Sequence, residues 1–134
     1  MKKFKNYCSN LAILEQAPKE NLENAFILSG VIDKFFIQFE LGWKVLKELL
    51  RYEGKSVAGT DSPREILKAA YATYDFLDES VWISMLKNRN DMTYIYDGDA
   101  AKRLVSIIIE QYIPAFVRLQ QEIEERYQNV LEEL

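Results

Sequence analysis

Apolar residues recur at helical spacing along most of the chain. In the first segment, about 3–16, Phe4, Tyr7, Leu11 and Leu14 share one face, and Pro18 ends the run. The second, about 21–53, carries Leu28, Val31, Ile32, Phe35, Phe39, Trp43, Leu46, Leu49 and Leu50 at the same period. At 1.5 Å per residue this predicts a rod of about 45 Å. Phe36, Ile37, Leu41 and Val45 widen its apolar surface beyond one stripe, so contact on two sides is expected, with several helices or with another subunit. Gly54 is a natural stop.

Ser62-Pro63-Arg64-Glu65 then opens a short helix through Ile66, Leu67, Ala70, Tyr71 and Tyr74. Ser62 fits the N-cap, Pro63 the first helical position and Glu65 the return arm of a capping box. Asp78 is placed to cap a helix in which Trp82, Met85, Leu86 and Arg89 fall on one face. Past Gly98, Asp97 or Asp99 is placed to cap a last long helix with apolar positions Leu104, Ile107, Ile108, Tyr112, Ala115, Phe116, Leu119 and Ile123. Pro114 inside it is expected to kink it. The tail, 122–134, is charged and expected to fray. The pattern predicts an all-α fold: an antiparallel, up-down bundle of four main helices plus one short helix, in a single domain over residues 1–134.

Composition narrows the chemistry. Five glycines and three prolines in 134 residues argue against a turn-rich all-β domain. The net charge of −4 and the absence of a basic cluster leave nucleic acid only as a locally recognised ligand. There is no histidine, which removes imidazole acid–base catalysis, Ser-His-Asp and Cys-His nucleophiles and His-ligated metals together. One cysteine, Cys8, makes neither an intramolecular disulfide nor a Cys/His zinc site. No tight acidic cluster suggests a magnesium site, and no metal or cofactor is expected. The most apolar span, 25–50, holds Asp33, Lys34, Glu40, Lys44, Lys47 and Glu48, too many charges for a membrane span. With no apolar run of signal length, a cytoplasmic, membrane-free protein is expected.

One stretch stands apart. Arg89, Asn90, Tyr94, Tyr96 and Asp97 crowd into nine residues at a helix end, where orphan backbone groups and side chains can jointly meet a ligand. Arg89 either faces a ligand or partner, or pairs with Asp91, Asp97 or a carboxylate on a neighbouring helix. Asn90 and Asp97 have cap roles as their plainer alternatives, and Tyr94 and Tyr96 have packing roles. Glu40 and Lys44 read as a plain i,i+4 ion pair, and Trp43 and Trp82 as core. If the helix continued through Tyr96, Arg89 and Tyr96 would lie within about 20° of each other, with Tyr94 about 140° from Arg89. The three converge only if the helix breaks or a second subunit contributes.

Several stretches together resemble a known family. Val31-Ile32-Asp33-Lys34-Phe35 and Phe39-Glu40-Leu41-Gly42-Trp43-Lys44 resemble the long helix of the nucleotidyltransferase substrate-binding family. Ser62-Pro63-Arg64-Glu65 resembles its capped short helix, and Trp82…Met85-Leu86…Arg89-Asn90…Tyr96-Asp97 its signature segment. The resemblance runs in order over nearly the whole chain. It implies a HEPN-like bundle, a homodimer, and a partner that is a small MNT-type nucleotidyltransferase. The superfamily motif is Arg, four to six residues, His, one residue, Tyr. Arg89 matches its Arg and Tyr96 its Tyr, but Tyr94 stands at the His position. A phenol with an ordinary pKa near 10 is a poor general base at pH 7, which weighs against the ribonuclease chemistry of some superfamily members. In toxin–antitoxin pairs of this kind the nucleotidyltransferase transfers AMP to the motif tyrosine, which by position is Tyr96. The resemblance therefore implies a non-catalytic substrate-binding partner with Arg89, Asn90, Tyr94, Tyr96 and Asp97 as ligand-binding residues for a nucleotide or RNA. The alternative is a ribonuclease toxin with Arg89 and Tyr94 as catalytic residues.

Overall fold

The computed structural model describes residues 1–133, and among them every regular element is helical. Helix α1 is Lys2–Leu14, α2 Ala25–Tyr52, α3 Pro63–Thr73, α4 Glu79–Asn90, α5 Gly98–Ile107 and α6 Ile113–Tyr127. Short 3₁₀ turns at Ala17–Lys19, Ser56–Gly59 and Thr93–Ile95 link them, and a π turn at Ile108–Tyr112 joins α5 to α6.

Local chemistry sets most boundaries. Asn24 caps α2, accepting from the N–H groups of Phe26 and Ile27. Gly54, at φ 77°, supplies the left-handed turn that ends it. Ser62 accepts from the Glu65 N–H as expected, but the Ser62 N–H donates to Thr60 Oγ1. Thr60 therefore supplies the return arm that the sequence pattern assigns to Glu65. Asp78 caps α4 through the Val81 N–H.

Cross-chain pairs give the directions. Lys3 meets Glu48 while Asn10 meets Lys34 and Gln38, so α1 and α2 are antiparallel. Against α2, α4 also runs antiparallel: Trp82 lies at Gly42 and Arg89 at Glu40. Ser84 and Asn88 reach Tyr112 while Trp82 packs on Phe116, so the last long helix reverses α4. The up-down bundle is thus present, with α2 at its centre. Phe35, Phe39, Val45, Leu46 and Leu49 of α2 are fully buried. Val45, on the second apolar stripe, is covered within the chain, and of that stripe only Ile37 stays well exposed.

Two features were not visible in the apolar pattern. Gln38 is fully buried, donating to the Tyr7 carbonyl and accepting from Asn10, which pins α1 to α2. Pro114 does not break the last helix. The π turn takes the ladder from i→i+4 to i→i+5, with the Ile113 N–H on the Ile108 carbonyl, and Pro114 sits in the first turn of α6. Trp43 and Trp82 are core residues, as their spacing predicts. No described helix is long and apolar enough to cross a membrane.

Candidate functional site

The polar stretch sits where α4 ends. Lys87 and Arg89 occupy its last turn, where cations suit the negative end of the helix dipole. Asp91 then turns the chain: its Oδ1 accepts from the Thr93 N–H at 2.9 Å and from Thr93 Oγ1 at 2.6 Å. These bonds hold its carboxyl below the usual range. The 3₁₀ turn Thr93–Ile95 follows, and Asp97 starts α5. The helix therefore does break between Arg89 and Tyr96.

Arg89 crosses to α2 and forms an ion pair with Glu40. Its guanidinium carbon also lies 5.9 Å from the Phe39 ring centroid. Glu40 is held from its own helix: Trp43 Nε1 donates to its Oε2 at 3.1 Å, and Lys44 Nζ lies 3.9 Å away. Of the alternatives for Arg89, the carboxylate on a neighbouring helix is the one realised. Both side chains stay 32% exposed. A guanidinium has five N–H donors, and no second acceptor meets this one among the described residues, so it retains donors for a ligand.

Tyr94 docks on the same stripe of α2, one turn before Glu40. Its ring stands edge-on to Phe36, 5.8 Å between centroids. Burial, and secondarily Asp33, push its phenol above the ordinary value. Arg89 and Tyr94 are thus brought together along α2. The other three expected residues are not drawn in. Asn90 is exposed. Tyr96 is 93% exposed. Asp97 Oδ1 accepts from the N–H groups of Asp99 and Ala100 as the cap of α5.

Four contributors were missed from sequence: Ser84, Asn88, Arg103 and Tyr112. Asn88 and Ser84 both bond the hydroxyl of Tyr112, a fully buried residue of the π turn, which fastens the end of α4 to the last helix. Asn88 also lines a cavity of about 250 Å³ with Asp91, Thr93, Tyr94 and Arg103. Arg103 is exposed and makes no ion pair among the described residues. Asn88 was legible as a neighbour of Arg89. Tyr112 reads as one more apolar position, and Arg103 as one more surface charge.

The site therefore offers a braced arginine, an edge-packed tyrosine, a small cleft of mixed polar and apolar lining and one phenol free in solvent. Exposed Met92 and Ile95, at 52% and 50%, flank it with apolar surface. A family model described as "Nucleotidyltransferase substrate binding protein like" matches residues 2–125. Among curated proteins, none matches the chain.

Proposed function

The chain belongs to the nucleotidyltransferase substrate-binding family, and on that premise we propose that it is the non-catalytic partner of a separate, small MNT-type nucleotidyltransferase. It acts as a homodimer and presents the Arg89–Tyr96 segment to that enzyme. Arg89 holds a phosphate of the nucleotide, Tyr94 supplies an aromatic edge, and Tyr96 accepts AMP. In that transfer the Tyr96 oxygen bonds the α-phosphorus of ATP and the bond to the bridging oxygen breaks. Pyrophosphate departs with that electron pair, and the phenolic proton passes to solvent.

The observation that carries this reading is the contrast between Arg89, braced by Glu40 and Phe39, and Tyr96, 93% exposed seven residues on. A side chain that binds phosphate gains from being pre-positioned. One that is modified must reach another protein's active centre. Met92 and Ile95 give that protein apolar area to cover. A toxin–antitoxin pair is the setting that suits such a modification. The ribonuclease alternative lacks the motif's imidazole: the chain has no histidine, and Tyr94, its phenol raised by burial, is a poor general base at neutral pH.

Size-exclusion chromatography of the chain with a small MNT-type nucleotidyltransferase from the same genome tests the partnership. A stable complex, weakened about tenfold or more by Arg89→Ala, is expected. Separate elution of the two proteins contradicts it.

A further inference from the structure

A second cleft, of about 280 Å³, lies between α3 and α4, away from the Arg89–Glu40 pair. Two facing stripes line it, each at i, i+4, i+7: Arg64, Lys68 and Tyr71 on α3, and Glu79, Ile83 and Leu86 on α4. Leu67 and Glu65 complete the lining. Because α3 and α4 form a helical hairpin, Tyr71 and Glu79 sit together near its turn. Arg64 stands about two turns away, roughly 10 Å along α3, and Lys68 about one turn, roughly 4.5 Å.

The cleft is polar at both ends and unsatisfied at both. The Tyr71 hydroxyl oxygen is shut off from solvent and has no hydrogen-bond partner. Native proteins rarely leave a buried hydroxyl so. Burial, with Glu79 and Asp78 adding to it, raises this phenol well above its ordinary value, so it stays a donor. Lys68 and Glu79, which border it, are exposed and free to swing aside. Neither Arg64, at the other end, nor Lys68, one turn from Tyr71, meets a carboxylate at ion-pair distance among the described residues. Leu67, Ile83 and Leu86 make an apolar floor along the cleft, and Ile83 is 49% exposed.

We propose that the α3–α4 cleft binds a purine nucleoside monophosphate. Arg64 holds its phosphate, joined by Lys68 once its side chain swings off the Tyr71 hydroxyl toward that end; Leu67, Ile83 and Leu86 lie under its base, Tyr71 donates to a ring nitrogen, and Glu79 accepts from an exocyclic amine. The assignment follows from the two ends of the cleft, cationic at Arg64 and hydroxyl and carboxylate at Tyr71 and Glu79, with apolar side chains and Lys68 along the span between them. A simple anion would leave the inner end empty, and an apolar ligand would leave both ends unpaired. Glu65 opposes the phosphate, so its removal strengthens binding. The inference is independent of the nucleotidyltransferase partnership.

The test is a titration of the isolated full chain with AMP by NMR, with IMP and inorganic phosphate as comparison probes. Saturable shifts at Tyr71, Ile83 and Leu86 are expected, with IMP weaker for want of the amine and phosphate weaker still. Tyr71→Phe, which removes only the hydroxyl, weakens AMP about three- to tenfold, and Lys68→Gln by about tenfold. Glu65→Gln tightens it. Thermal melting checks that each variant is folded. No saturable binding of AMP, equal binding of inorganic phosphate, or AMP binding indifferent to both Tyr71→Phe and Lys68→Gln overturns the proposal.

Discussion

Arg89 at the end of α4 is ion-paired to Glu40 in the middle of α2, and among the described residues this is the one ion pair between α4 and the long helix. The pair is one-third exposed, and such pairs contribute little to folding. Glu40→Gln is expected to cost less than about 1 kcal/mol in urea unfolding. It also frees the guanidinium to sample other rotamers, so affinity for the nucleotidyltransferase should drop without loss of fold. An unfolded Glu40→Gln protein would show that the pair is structural instead.

Tyr112→Phe should act at a distance. The hydroxyl it removes receives Asn88 and sits against Ser84, so both lose their partner at the end of α4. Leaving buried polar groups unpaired costs about 1–3 kcal/mol. Amide hydrogen exchange is expected to speed up in 84–90 more than in α1. A uniform change across the chain contradicts this.

Two glycines of α2 should respond oppositely to alanine. A Cβ on Gly42 would meet the Trp82 ring at 3.3 Å and the Tyr7 ring at 3.4 Å. Trp82 is 1% exposed and wedged between Phe39 and Phe116, so it has little room to yield. Gly42→Ala should therefore be net destabilising, by about 1 kcal/mol after the gain in helix propensity. Gly30 has no neighbour within 4 Å of a Cβ, and Gly30→Ala should stabilise by about 0.5–1 kcal/mol. Melting temperatures of the two variants decide it.

Stability should fall on the alkaline side. Burial raises the phenols of Tyr7, Tyr71, Tyr74 and Tyr127 above the ordinary 10.0. The Cys8 thiol is pushed up to about 11 from 9.0. Above those ordinary values the unfolded chain releases protons that the folded chain retains, so it binds fewer and the slope of stability with pH is negative. This stabilisation is complete below about pH 9 and is lost as pH rises through the folded values. Urea midpoints between pH 8 and 11, with tyrosinate absorbance, should show unfolding and phenol ionisation together. Midpoints that hold steady to pH 11 contradict it.

The bundle was legible because its signals are local. Ser62, Asp78 and Asp97 cap the helices they precede, and the 3.6-residue period of Phe35, Phe39 and Leu46 survives packing. What the period cannot encode is a polar residue placed on the apolar face. Gln38 and the Tyr112 hydroxyl find partners only through α1 and α4, 31 and 28 residues away in sequence. The site was half legible for the same reason. Arg89 and Tyr94 lie in the cluster the sequence singles out, but the α2 stripe that receives them, Phe36 and Glu40, reads as apolar surface and a plain ion pair. The break after Asn90 separates Tyr96 from Arg89, where an unbroken helix would have aligned them.

The most direct test is intact-mass and peptide-mapping spectrometry of the chain after incubation with the proposed MNT-type nucleotidyltransferase partner, ATP and magnesium. One adenylyl group per chain, mapped to Tyr96, with release of pyrophosphate, is expected. The modification should be absent in Tyr96→Phe and reduced in Arg89→Ala. An unmodified chain, or modification at another residue that persists in Tyr96→Phe, would contradict it.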